Sequence, residues 1–210
     1  MLNEEVNMTG CGRTDTGVHA REFYAHFDRK QPLESTRELA FRLNAFLPGD
    51  IVVYNIFEVP PDFHARFDAL SRTYKYYISK QKDPFKAGQS YYYHAPLDVN
   101  KMKKACNFLF DYSDFTSFSK LHTQTKTNNC NIFEAYWEEI DNMLVFTIKA
   151  DRFLRNMVRA IVGTLLEIGK EKLEVVDMPH IIEAKDRSKA GFSVPAEGLF
   201  LEHIDYDFPG

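Results

Sequence analysis

The sequence predicts an α+β fold. Three observations lead there: short stretches with period-two alternation of apolar residues, stretches with apolar residues at helical spacing, and an order that mixes the two without the strand-helix-strand rhythm of a parallel sheet. The 210 residues, 44% of them hydrophobic, suit one domain or two small intimate ones and supply ample core. With 18 Phe and 11 Tyr, many rings need burial or a partner, and no low-complexity tract interrupts the chain.

The elements follow in order. A glycine-rich loop, Gly10 to Ala20 (GCGRTDTGVHA), feeds a strand at Glu22 to Phe27, where Phe23, Ala25 and Phe27 alternate with Tyr24 and His26. Ser35 or Thr36 can cap a helix with Leu39, Leu43 and Phe46 at helical spacing, stopped by Pro48-Gly49-Asp50. A strand is expected at Ile51 to Val59, ended by Pro60-Pro61, the best internal boundary; it divides an N-terminal half, 1–61, from a C-terminal half, 62–210. Arg72 to Ser79 reads as a tyrosine-rich strand, Lys80 to Gln89 as a loop, Val99 to Phe110 as a helix and Thr116 to Asn131 as an exposed polar loop. Ile132 to Ile140 and Met143 to Ala150 form a hairpin turning at Asp141-Asn142.

A helix is then expected from Asp151, as N-cap, to Gly169. Leu154, Met157, Val158, Ile161 and Leu165 share one arc of it, with Arg152, Arg155 and Arg159 on the opposite arc. A helix near Val175 to Lys185 and a strand near Gly198 to Tyr206 complete the chain.

The net charge of −4 argues against a nonspecific DNA-coating protein but leaves room for a local basic cleft. Cys11, Cys106 and Cys130 are too scattered for a disulfide framework, and no C-x-x-C pair suggests zinc. With no apolar run of spanning length and no leader-like start, the expectation is a soluble cytoplasmic protein.

Several groupings could carry chemistry. Gly10, Gly12 and Gly17 let the loop place Arg13 and Asp15 in a cleft; an exposed Arg-Asp pair on a turn is the plain alternative. Asp15-Thr16-Gly17 resembles an aspartic protease triplet, but those enzymes need two carboxylates sharing a proton, a state an adjacent arginine opposes, and no second triplet exists. His19, His26 and Cys11 match no metal-ligand spacing, so structural histidines are favoured and no metal is expected. Tyr74 and Tyr76 share one strand face and Tyr77 the other, either as core aromatics or as a stacking surface for a planar base. The arginine row carries no compensating acid until Glu167, which favours an anionic partner. Lys101, Lys103 and Lys104, and separately Lys185, Arg187 and Lys189, extend that track or are simply solvated.

Taken together, Gly12 to Ala20 (GRTDTGVHA), Phe63 to Phe67 (FHARF), Tyr74 within RTYKYYI, Asp114 to Phe118 (DFTSF) and Phe153 to Arg159 (FLRNMVR) resemble the tRNA pseudouridine synthase A family in content, order and spacing. Asn44 to Ile51 (NAFLPGDI), Ala184 to Arg187 (AKDR) and Ala196 to Leu199 (AEGL) extend the resemblance over nearly the whole chain. The resemblance implies an isomerase that converts uridine to pseudouridine at positions 38 to 40 of the tRNA anticodon arm, without cofactor or metal. It implies two related, RRM-like α/β halves with mixed, mainly antiparallel sheets joined across a central cleft, and a homodimer cradling tRNA. Asp15 then matches the catalytic nucleophile, attacking ribose C1′ or base C6. Arg159 matches its ion-pair partner, Arg13 the residue that displaces the flipped base, and Tyr74 the tyrosine that stacks on the uracil. Thr14, Gly17, His19, Arg66, Arg152 and Arg155 are the implied substrate-binding residues.

The family pattern also places a strand with Tyr-Asp-Gly, a Trp-Gln stretch and a helix before the position of Val6, and these do not occur here. Exposed sheet edges and apolar faces in the N-terminal half are therefore expected, with weakened stability. A catalytically inert RNA-binding module is the corresponding alternative.

Overall fold

A computed structural model describes residues 2, 4–120 and 127–208. Its elements in chain order are β1 (Thr9–Gly10), β2 (His19–Ala20), β3 (Ala25–His26), α1 (Thr36–Phe46), β4 (Ser71–Ser79), β5 (Tyr91–Tyr92), α2 (Val99–Asn107), β6 (Ile132–Ile140), β7 (Met143–Ala150), α3 (Met157–Gly169), α4 (Asp177–Glu183) and β8 (Leu199–Asp205). The fold is α+β, with a mixed, mainly antiparallel main sheet. The chain divides into two compact units, one made of Met1–Gly12, Tyr24–Asp68 and Asp207–Gly210, the other of Arg13–Phe23 and Ala69–Tyr206.

In the first unit β1 pairs antiparallel with β3, and α1 starts where the Ser35 hydroxyl accepts a hydrogen bond from the Glu38 N–H. The expected strand at 51–59 is not formed. Val53 instead exchanges both of its backbone hydrogen bonds with the Asn44 side chain, which reproduces a strand partner at a single residue. Ile51, Val52 and Tyr54 are left 50%, 55% and 85% exposed. Similarly, of the expected strand at Glu22 to Phe27 only Ala25–His26 is paired.

The second unit is built on a six-stranded sheet in the order β2-β8-β4-β7-β6, with β5 beside β4. β4 is central because it pairs with β7 from Arg72 to Ser79 and with β8 from Ser71 to Tyr76; where β8 ends, β5 takes over at Ile78 and Ser79. β6 and β7 turn at Asp141-Asn142, whose φ values of 49° and 61° are those of a two-residue hairpin turn matched to strand twist. The core joins Tyr76, Ile78, Trp137 and Phe146 of the sheet to Met102 of α2 and Leu165 of α3. Cys11, Cys106 and Cys130 are free thiols, all buried.

Two expectations about the arginine-bearing helix are corrected. α3 begins at Met157, not at Asp151, because Asn156 is left-handed at φ 69° and interrupts the helical path. The Asp151 carboxylate is meanwhile taken up by the Asn131 backbone and side-chain N–H groups and by the Arg152 N–H. Nor is α3 two-faced. Nearly all of its residues are buried, and of the three arginines only Arg159 lies on it. The loop expected to be exposed at 116–131 contains a buried ring, Phe118, and follows another, Phe115, while its positions 121–126 lie outside the described residues.

Candidate functional site

The Asp15 site is assembled from three segments of the second unit. Asp15 opens a four-residue turn closed by a hydrogen bond from the Val18 N–H to the Asp15 carbonyl, 3.1 Å. The third residue of that turn, Gly17, has φ 83°, a value that a Cβ would strain. Val18 then packs against the core. Beyond it the chain becomes β2, which runs parallel to β8 with His19 opposite Phe200. The His19 ring stacks on Phe200 at 4.5 Å, and its Nε2 lies 2.8 Å from the Gly88 carbonyl oxygen. Arg21 adds an ion pair to Glu202 at 3.1 Å, while Glu22 reaches Nδ1 of His203 at 2.5 Å. The loop that carries Asp15 is pliable by composition but fixed at its C-terminal end.

The carboxylate faces two guanidinium groups. Arg159 Nη1 lies 3.3 Å from Oδ2 and Arg155 Nε lies 3.4 Å from Oδ1. Arg159 is well buried at 19% side-chain exposure, whereas Arg155 is 60% exposed. Both contacts are longer than the roughly 2.7–2.9 Å of a tight charge-assisted hydrogen bond. The carboxylate is thus surrounded by positive charge while its lone pairs remain loosely engaged. Arg159 is itself held from behind: its Nε donates to the Val194 carbonyl at 2.7 Å, and the Val194 N–H donates to the Arg159 carbonyl at 3.2 Å.

The remaining sequence candidates are distributed unevenly. Arg13 and Thr14 are exposed in the segment that leads into the Asp15 turn. Arg152 does not reach Asp15; its Nη1 donates to the Thr127 carbonyl at 3.3 Å. Arg66 belongs to the first unit, is exposed, and carries its guanidinium over the Phe67 ring at 5.6 Å. Tyr74 sits on β4 at a bulge in the β4–β8 ladder, where the register shifts past Glu202. Its ring, partly buried, meets Phe153 edge-on at 5.1 Å and 87°. Tyr76, one of the two tyrosines sharing that face, is fully buried, and its hydroxyl donates to the Pro195 carbonyl at 2.8 Å.

Some charges read as an extended basic track are compensated within the chain, Lys185 by Asp114 at 2.8 Å and Lys101 by Glu171 at 2.9 Å. Sequence reasoning also missed a feature. Arg187, grouped with surface lysines, turns its guanidinium inward onto Ala190, Gly191 and Ser193. Only its type, an arginine preceding Gly191, could have hinted at this. Among the described residues, no group of three or more His, Cys, Asp or Glu could hold a metal ion, and no helix is long and apolar enough to cross a membrane.

The chain is similar to known proteins along nearly its whole length. The sequence profile of a family described as tRNA pseudouridine synthase matches residues 112–207, which include Arg155 and Arg159. A tRNA pseudouridine synthase A of Parabacteroides distasonis is 55% identical over 206 residues, 98% of this chain and 82% of its own length. This chain belongs to the tRNA pseudouridine synthase A family. Another synthase, from Bacteroides fragilis, is 55% identical over 98% of the chain and 82% of its own. That from Clostridium acetobutylicum is 41% identical over 98% of the chain and 85% of its own. The synthases of this family are isomerases acting on tRNA. Neither comparison favours an inert RNA-binding module.

Proposed function

We propose that the chain isomerises uridine to pseudouridine at positions 38 to 40 of the tRNA anticodon arm, with Asp15 as the nucleophile. One observation carries this reading: the Asp15 carboxylate has one guanidinium on each oxygen, at 3.3 and 3.4 Å, without being locked by either. An attacking carboxylate must keep a lone pair available, and this arrangement leaves one on each oxygen while setting two cationic groups beside it.

In the reaction an Asp15 oxygen bonds to ribose C1′ or to base C6, and the N1–C1′ bond breaks. The uracil rotates, C5 bonds to C1′, the bond from substrate to the Asp15 oxygen breaks and returns the free carboxylate, the C5 proton leaves and N1 takes up a proton. The product has the atoms of the substrate, so the step consumes no cofactor. Tyr74 stacks on the extruded uracil, and exposed Arg13 enters the space it vacates. Flipping a paired base costs a few kcal/mol, which phosphate contacts recover. Arg66 and Arg152 supply such contacts, with Arg155 beside the reacting group, while Thr14, Gly17 and His19 shape the wall of the site. The chain works as a cytoplasmic homodimer, which doubles the basic surface offered to one RNA.

Release of tritium from C5-labelled uridine in tRNA tests the reading. The unmodified protein should release it, and Asp15→Ala should lower the rate by on the order of 10³-fold or more. Binding of tRNA without release, or activity retained by Asp15→Ala, would overturn it.

A further inference from the structure

Arg187 is a partly buried arginine that the reaction does not use, and among the described residues it makes no ion pair. Its Nη1 donates to the carbonyls of Ala190 at 3.3 Å and Gly191 at 2.9 Å, and its Nη2 donates to Ser193 Oγ at 2.9 Å. A guanidinium that spends its fork on backbone oxygens orders the chain it binds, because those carbonyls would otherwise turn to water. Partial burial lowers its pKa from the usual arginine range, a cost that these three acceptors offset.

The segment it orders lies directly on α3. A Cβ on Gly163 would come within 1.7 Å of the Phe192 carbonyl oxygen, and one on Gly191 within 2.6 Å of the Thr164 nitrogen, so two backbones touch through paired glycines. The Gly191 N–H donates to Thr164 Oγ1 at 2.8 Å.

Two routes run from this segment to the Asp15 site. Along one, Val194 holds Arg159 by the reciprocal pair of hydrogen bonds already described, and Arg159 faces Asp15. Along the other, Ser193 Oγ accepts from Asn156 Nδ2 at 2.5 Å. Asn156 is the left-handed residue that separates Arg155 from α3. We propose that Arg187 is a positioning residue for pseudouridine formation: by closing segment 187–194 against α3 it aims Arg159, and through Asn156 also Arg155, at the Asp15 carboxylate. The proposal rests on the reading of Asp15 as the reacting group.

A double-mutant cycle on the full chain tests it. Single-turnover tritium release, at saturating tRNA and normalised to folded protein, is compared for Arg187→Gln with and without Arg159→Lys. A residue acting through Arg159 should slow release at least tenfold alone and less than threefold when Arg159 is already altered. The KM for tRNA should stay within about threefold, and Arg187→Lys, which keeps the charge but not the fork, should restore little. Equal losses in both backgrounds, or no loss, would overturn the proposal. If Arg187→Gln fails to fold, Ser193→Ala takes its place with the same criteria. A second readout needs no turnover: the Arg159 Nε–H resonance in ¹⁵N-labelled protein should be protected from exchange in the unmodified chain and lose that protection in Arg187→Gln. Protection that persists in the variant overturns the positioning role. An unmodified protein that shows this loss in the variant but releases no tritium separates failure of the reaction assignment from failure of the positioning role.

Discussion

Asp15 has two guanidinium neighbours of unequal freedom. Arg159 is buried and clamped by Val194, whereas Arg155 is mostly solvated, and a solvated pair at 3.4 Å contributes little on its own. Arg159→Lys should therefore lower the single-turnover rate at least tenfold more than Arg155→Lys, as tritium release would report. A second residue-scale expectation concerns pH. Chiefly through its hydrogen bond to Glu22, His203 titrates above the ordinary histidine value. Its folded pKa being raised, its contribution is fully present below the ordinary value of 6.5 and is lost as pH rises through the elevated one. His203→Asn should thus be less stable than the unmodified chain at mildly acidic pH, with urea midpoints converging in alkaline buffer. The neighbouring Asp205, held first by Ser71 and then by Lys149, is lowered from 3.8 to about 2 and acts in the opposite sense, its contribution fading as pH falls through that window. The pairing of Asp15 with Arg159 was legible in the motifs that carry them, and the two side chains do meet in space, whereas the approach of Arg155 to the same carboxylate was not foreseen. The inward turn of Arg187 was not readable, because a run of Lys, Arg and Lys looks the same whether its side chains face water or backbone.

Among the elements, those defined by their own local pattern were legible. The β6–β7 hairpin, the tyrosine strand, the capped helix α1 and β8 all lie close to where alternation, spacing and turn residues put them. Two of the failures involve side chains competing with the backbone. Asn44 occupies the ladder positions of Val53, and Asp151, a good helix cap by type, serves Asn131 instead. Two substitutions probe element-scale packing. Gly163→Ala would force the 191–194 segment away from α3 and should cost about 3 kcal/mol or more in urea unfolding. Asn142, at φ 61°, sits where L-residues are strained, so Asn142→Val should lower stability by roughly 1–2 kcal/mol while Asn142→Gly is tolerated.

For the molecule as a whole, burial differs sharply between its two units. The first has Cys11, Leu39 and Ala65 as its buried apolar side chains among the described residues, and Phe41, Phe46 and Tyr54 are each more than 70% exposed. The second buries most of β7 and nearly all of α3. Amide exchange should follow: α1 protons should exchange through local opening, and those of β7 and α3 only near the global limit. The net charge of −4 says nothing of this division, since it averages over both units. The parallel pairing of β2 with β8 bears on time as well as space. The Arg21–Glu202 contact that anchors the Asp15 segment spans 181 residues of sequence. On a ribosome adding about 5–20 residues per second, that partner follows by roughly ten to forty seconds. Asp15 thus emerges well before Glu202, so a nascent chain carries Asp15 through the synthesis of all the residues between before that contact can hold its segment in place.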